Sequence, residues 1–124
     1  MIDLESVLEI QNTLLEKFGG KSGVRDVGLL LSALNRPLLG TDKKEFYPNP
    51  TQKAAALIES IVKNHPFIDG NKRIGFVLMR LVLLQNGFDI DATQDEKYTF
   101  VISIANGEFD YEKIYSWILN HLTR

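Results

Sequence analysis

Signals that start and stop helices recur at short intervals along the chain, and they limit it to a fold of short helices. Between them, apolar residues return every three or four positions, the period of a helix packed on one side. The stretch from Leu4 to Phe18 keeps such a stripe, and Gly19-Gly20 ends it. The later start signals are Asp26, Asn49 before Pro50, Thr93 with Glu96, and Asp110. Because strand-type alternation is nearly absent, the sequence predicts an all-α fold of about six helices.

Three segments give more specific expectations. The run Ile74–Leu84 is apolar nearly all round, so we expect a buried central helix there, directly after a polar loop. Residues 38–48 have the composition of a loop between two helices. The first helix can begin at Asp3 or at Ser6, since both are good N-cap residues in suitable positions.

Composition excludes several classes of protein. The 124 residues fit one domain, residues 1–124, and 44% hydrophobic with 24% charged residues is ordinary for a globular protein. The net charge of −2 gives no basic field, so we expect no direct binding to nucleic acid. With no cysteine there are no disulfides or thiolate metal sites, and no apolar run is long enough for a membrane span. The acidic N-terminus is unlike a signal peptide, so we expect a cytoplasmic protein.

One polar stretch, directly before the apolar run, concentrates chemically active residues. It reads His65-Pro66-Phe67-Ile68-Asp69-Gly70-Asn71-Lys72-Arg73. Imidazole titrates near neutral pH, so His65 is the candidate general base for a hydroxyl group. Asp69 is the candidate ligand for Mg²⁺, which prefers carboxylate and phosphate oxygens. Taken singly, a histidine before proline is an ordinary helix end and Asp-Gly is an ordinary turn, so the prediction rests on the combination.

The second half of this stretch favours an anion. Gly70 and Asn71 can offer backbone N–H groups at a helix start, and the Asn71 amide can fix the loop or contact a phosphate. Lys72 and Arg73 would otherwise be oddly placed, because cations are disfavoured in the first turn of a helix. We therefore predict a phosphate site formed by Gly70, Asn71, Lys72 and Arg73, with Phe67 anchoring the loop in the core.

The stretch from His65 to Arg73 resembles the signature of the Fic/Doc (Fido) superfamily, His-x-Phe-x-(Asp/Glu)-(Gly/Ala)-Asn-(Gly/Lys)-Arg. A second segment is similar to the Doc branch, and it comprises Gly23-Val24-Arg25-Asp26, Gly28-Leu29-Leu30, Ser32-Ala33-Leu34 and Arg36-Pro37. The resemblance implies an all-helical domain that uses ATP with Mg²⁺. It also implies His65, Asp69 and Arg73 as catalytic residues.

Two positions indicate the branch. Fic proteins that transfer AMP usually have glycine where this chain has Lys72, and a second arginine where it has Phe76. The resemblance to Doc implies instead that the γ-phosphate of ATP is transferred to a Ser or Thr hydroxyl of a cellular protein. A translation factor, such as elongation factor Tu, is the expected target. AMP transfer and a non-catalytic interaction module stay open as alternatives.

The resemblance also implies a partner. The self-inhibitory motif of the family, Ser/Thr-x-x-x-Glu-(Gly/Asn), has no match in this chain. Restraint is therefore expected from a separate antitoxin, whose disordered C-terminal segment would fold onto the toxin. We expect it on the outer faces of the helices at residues 3–18 and 51–64. Phe46 and Tyr47 are expected either to pack against the protein or to edge the target groove, because the resemblance implies that their region corresponds to the flap that aligns the target in Fic proteins.

Two further polar residues, Arg80 and His121, are expected to lie outside the site. Arg80 is expected to form an ion pair with an acidic neighbour. His121, in the last helix, is expected to be exposed and not involved in the site.

Overall fold

The computed structural model describes residues 1–124. Six α-helices follow one another: α1 Leu4–Phe18, α2 Val27–Asn35, α3 Pro50–Asn64, α4 Asn71–Gln85, α5 Gln94–Ala105 and α6 Tyr111–Asn120. The only strands are two antiparallel pairs, β1 Gly40–Thr41 with β2 Lys44–Glu45 and β3 Asp89–Ile90 with β4 Leu122–Thr123. The predicted all-α class with about six helices is confirmed. No helix is both long and apolar enough to cross a membrane.

The core is organised around α3 and α4, which pack against each other. Nine residues of α3 are buried, and seven of α4, so α3 lies even deeper than the helix that follows the polar loop. Gly75 lets the two helices approach closely, because a Cβ atom there would lie 2.8 Å from Val62 Cγ2. The stretch from His65 to Gly70 joins these two packed helices, so its two ends are held firmly by the core.

Local cap signals explain most helix starts. Asp3, rather than Ser6, begins α1, since its carboxylate accepts a hydrogen bond from the Ser6 N–H at 2.8 Å. Asp26 and Asp110 cap α2 and α6 in the same way, and reciprocal capping boxes begin α3 and α5. Such side chains satisfy backbone N–H groups that have no partner within the helix.

The expectation of a plain loop at residues 38–48 is wrong. A short 3₁₀ turn, Arg36–Leu38, leads into the β1–β2 hairpin. Gly40 makes the pairing possible, because a Cβ atom there would lie 2.6 Å from the Lys44 carbonyl oxygen. Lys53 on α3 then holds the hairpin by donating to the carbonyl oxygens of Pro37 and Tyr47 and pairing with Glu45.

Two side chains outside the site, Arg80 and His121, can be compared with the roles expected from the sequence. Arg80 forms a two-point ion pair with Asp89, at 2.7 and 2.9 Å, which confirms the expected acidic partner. The expectation that His121 is exposed is wrong. Its ring is half-buried, lies 4.0 Å from the Trp117 ring and contacts a Glu96 oxygen at 3.2 Å.

Candidate active site

His65 lies where α3 ends, and its backbone has an unusual conformation. With φ of 49° and ψ of 59° it is the only non-glycine residue with a positive φ. Glycine or asparagine normally ends a helix in this left-handed conformation, since other side chains are strained there. Such strain is typical of functional sites. The imidazole is exposed, so it can reach a substrate from the surface.

The backbone around His65 is held by the segment that follows α1. The Arg25 side chain donates to the carbonyl oxygens of His65 and Asn64, at 2.7 and 2.6 Å. The N–H groups of Arg25 and Asp26 both donate to the Pro66 carbonyl oxygen, and the Ile68 N–H donates to that of Gly23. The second segment of the sequence resemblance therefore lies beside the first and fixes its shape.

Asn71 closes the loop from inside. Its side-chain oxygen accepts from the Phe67 N–H at 2.9 Å, and its Nδ2 donates to the Phe67 carbonyl oxygen at 3.0 Å. Both residues are buried, and Phe67 lies in the core as expected. Of the two uses that the sequence allowed for the Asn71 amide, the structure shows the first, fixing the loop.

Asp69 and Gly70 form the turn into α4. Gly70 has a φ of 75°, and its N–H donates to Asp69 Oδ1 at 2.9 Å. The Lys21 N–H donates to the other carboxylate oxygen at 3.2 Å. These N–H groups of Lys21 and Gly70, helped by the Arg73 and Lys21 charges, hold the pKa of Asp69 below its usual range. The exposed carboxylate is therefore charged near neutral pH.

The first turn of α4 is open to an anion. No side chain caps it, and the backbone N–H groups of Asn71, Lys72 and Arg73 have no acceptor in the protein. The Lys72 and Arg73 side chains are exposed and form no ion pair. Together with the helix dipole, these groups favour a bound phosphate at this end of α4.

A divalent cation fits the site only with help from the substrate. No group of three or more His, Asp or Glu side chains could hold a metal ion. Asp69 is charged and exposed, and each oxygen accepts one hydrogen bond and so keeps a free lone pair. One carboxylate with substrate phosphates and water is an ordinary set of ligands for Mg²⁺.

Three residues that support the site were not predicted from the sequence. Gln11 is buried in α1 and donates to the Asp69 carbonyl oxygen at 2.8 Å. Arg25 fixes the backbone at His65, and Gly20 lets the chain pass the Asp69 carboxylate. The available signals were a glutamine within the apolar stripe of α1 and a glycine pair longer than a helix stop requires.

The predicted antitoxin surface is wrong in one of its two parts. Residues 51–64 have no apolar outer face, because α3 is buried and only Lys63 and Asn64 are fully exposed. The apolar surface beside α1 is instead a groove of about 250 Å³ between α1, α4 and α5. It is lined by Ile10, Phe76, Val77, Arg80, Leu81, Leu84 and Lys97.

The sequence is similar to those of several known proteins. Residues 1–83 match the Fic/DOC family, and the chain belongs to that family. It is 40% identical over 84 residues to Toxin Doc of Mycolicibacterium smegmatis, covering 63% of this chain and 65% of the relative. It is 37% identical over 90 residues to a Fido domain-containing protein of Dictyostelium discoideum, covering 64% of this chain and 61% of the relative.

A further relative is named as an enzyme. The chain is 32% identical over 87 residues to Protein adenylyltransferase Fic of Drosophila ananassae, covering 68% of this chain but 17% of the relative. The chain thus spans less than two thirds of the length of each of these relatives. Fic/Doc family members are enzymes that transfer nucleotide or phosphate groups to proteins, and Fic enzymes use ATP.

Proposed function

We propose that this protein transfers the γ-phosphate of ATP to a Ser or Thr hydroxyl of another protein. The observation that carries the proposal is the first turn of α4. It offers free N–H groups, Lys72 and Arg73, and the next turn has the apolar Phe76 where a second arginine would help to hold a triphosphate for AMP transfer. The Lys72 side chain adds a point charge where glycine would leave space for the phosphates to approach the backbone.

In the proposed reaction the acceptor hydroxyl attacks the γ-phosphorus. A bond forms between the hydroxyl oxygen and phosphorus, the bond to the bridging oxygen of ADP breaks, and His65 accepts the hydroxyl proton. Arg73, Lys72 and the free N–H groups of α4 neutralise the charge that develops on the transferred group. Mg²⁺, held by Asp69 and the phosphates, would supply further charge neutralisation.

AMP transfer is the second candidate, and one observation favours it. The Drosophila relative is named an adenylyltransferase and is 32% identical over 87 residues. His65, Asp69, Asn71 and Arg73 serve either reaction, since both need a base, a metal ligand and an anion site. Lys72 and Phe76 are the residues of this chain that favour phosphate transfer.

The likeness to Toxin Doc supports a proposal about the biological setting. We propose that residues 1–124 act as one toxin domain in the cytoplasm, where the target is a translation factor such as elongation factor Tu. A separate antitoxin with a disordered C-terminal segment would restrain it. If so, expression of this chain alone should stop growth, and co-expression with the product of the neighbouring gene should restore growth and raise the melting temperature of the chain.

Labelled ATP separates the possible activities. The purified chain would be incubated with a cell lysate and either γ-labelled or α-labelled ATP. Protein labelling from γ-labelled ATP alone is expected. Labelling from α-labelled ATP alone would show AMP transfer, in which the γ-phosphate leaves in pyrophosphate, and would contradict the proposal. Labelling from neither would favour a non-catalytic interaction module.

A further inference from the structure

Phe18 is an exposed aromatic residue that the core does not explain. It is the last residue of α1, and the apolar stripe of that helix predicted an inward position, yet 54% of its surface is exposed. The Arg73 guanidinium carbon lies 4.4 Å from the centre of its ring. The Lys17 ammonium lies 5.5 Å from the same centre. The contact that distinguishes Phe18 is therefore with an arginine of the motif.

The chain just after Phe18 passes beside Asp69, within the stretch from His65 to Arg73. Gly20 has a φ of 119°, and a Cβ atom there would lie 3.0 Å from Asp69 Oδ2. Next to it the Lys21 N–H donates to the same oxygen at 3.2 Å. The Lys21 side chain is exposed and forms no ion pair. Residues 18–21 thus lie beside Asp69 and Arg73 and bring one unpaired cation there.

We propose that residues 18–21 form a second wall of the phosphate site, in addition to the first turn of α4. In this second wall, Phe18 positions the Arg73 guanidinium, and Lys21 adds a charge for the phosphates of ATP. This inference rests on the nucleotide site of the proposed function. It assigns a role in binding to the end of α1, outside the stretch from His65 to Arg73. Phe18 is a positioning residue, since it would act through Arg73.

Stacking suits this role because it uses the face of the guanidinium. The N–H donors of arginine lie in the plane of the group, so a ring against the face leaves them free to bind a phosphate oxygen pair. An exposed arginine otherwise loses much side-chain freedom when it binds a ligand. Holding the guanidinium beforehand reduces that loss.

The test measures ATP binding by calorimetry for the wild-type chain and for Phe18→Leu, Phe18→Tyr and a control. A cation–π contact at an exposed site corresponds to a dissociation constant about two- to fivefold larger in Phe18→Leu. Phe18→Tyr keeps the ring and should bind like the wild type. The control is Tyr98→Leu, because Tyr98 is also exposed and has no cation over its ring.

A double-mutant cycle shows whether Phe18 acts through Arg73. In an Arg73→Gln background, Phe18→Leu should cause no further loss of ATP affinity. The wild-type Arg73 side-chain NMR resonances should also show a ring-current shift that Phe18→Leu removes. An equal loss of affinity in both backgrounds, or an unchanged Arg73 resonance, would overturn the positioning role.

Lys21 has a separate signature. Lys21→Gln should weaken ATP binding and reduce the dependence of that binding on salt, since it removes one charge from the site. Unchanged affinity and salt dependence would remove Lys21 from the proposed wall. Phe18→Leu and Lys21→Gln are both at exposed positions, so each variant should melt near the temperature of the wild type. A loss of ATP affinity would therefore not reflect unfolding.

The outcomes separate this inference from the proposed function. If the wild type binds ATP but transfers no γ-phosphate, the proposed function fails, while an effect of Phe18→Leu on binding still supports the second wall. If phosphate is transferred but neither Phe18→Leu nor Lys21→Gln alters ATP affinity, the second wall alone is wrong. If the wild type binds no ATP, both fail.

Discussion

Asn71→Ala should destabilise the protein, because the Asn71 amide holds the loop between α3 and α4 through its hydrogen bonds to the backbone of Phe67. The substitution removes the hydrogen bonds to the N–H and the carbonyl oxygen of Phe67, both in a buried environment. Each bond is worth about 0.5–1.5 kcal/mol net, and a buried backbone group left unpaired costs about 1–3 kcal/mol. Allowing for partial relaxation and entry of water, we expect the free energy of unfolding to fall by about 2–4 kcal/mol.

Urea unfolding followed by fluorescence of Trp117 would measure this loss. The control is Asn12→Ala, since Asn12 is exposed on α1 and its side chain makes no hydrogen bond in the structure. The control should change the free energy of unfolding by no more than about 0.5 kcal/mol. If the free energy of unfolding falls by less than about 1 kcal/mol in Asn71→Ala and ATP binding is lost, Asn71 does not hold the loop and is a phosphate ligand instead.

Three further predictions concern the metal, acid stability and helix packing. Asp69→Asn should abolish the dependence of ATP binding on Mg²⁺; titrations with and without Mg²⁺ would test this, and an unchanged dependence would place the metal elsewhere. The ion pair with Arg80 lowers the pKa of Asp89 to about 2, below the value of about 3.9 in an unfolded chain. The stabilisation of the folded state by this ion pair is therefore complete above about pH 4 and is lost as the pH falls toward 2. Acid unfolding of Asp89→Asn should lack this part of the transition. A transition identical to that of the wild type would contradict the assigned cause. Gly75→Ala would place a Cβ atom 2.8 Å from Val62 Cγ2, so unfolding experiments should show a loss of about 1–3 kcal/mol, whereas an unchanged stability would mean that α3 and α4 can move apart freely.

The sequence predicted the parts of this fold that depend on neighbouring residues. Helix starts at Asp26, Asn49 and Asp110 were found because each cap contacts an N–H only three residues away. The position of the loop from His65 to Gly70 between two helices followed from the change from an apolar stripe to a polar stretch. These features need no knowledge of contacts between distant parts of the chain.

Contacts between distant segments account for what was missed. The Arg25 side chain donates a hydrogen bond to the His65 carbonyl oxygen, 40 positions later in the chain. The Gln11 side chain donates one to the Asp69 carbonyl oxygen, 58 positions later. Phe18 had the correct helical period for the core, but the helix ends there and its ring meets Arg73 instead. Apolar periodicity cannot distinguish a side chain in the core from an exposed one in the last turn of a helix.

The central claim, that His65 catalyses transfer of a phosphoryl group, is tested most directly by the mass of the modified target. Purified elongation factor Tu, or another target found by labelling, would be incubated with ATP, Mg²⁺ and either the wild type or His65→Ala. We predict a gain of the mass of one phosphoryl group with the wild type, and a rate about 10²–10⁴-fold lower with a folded His65→Ala protein. A gain of the mass of AMP, or equal rates for the two proteins, would contradict the claim.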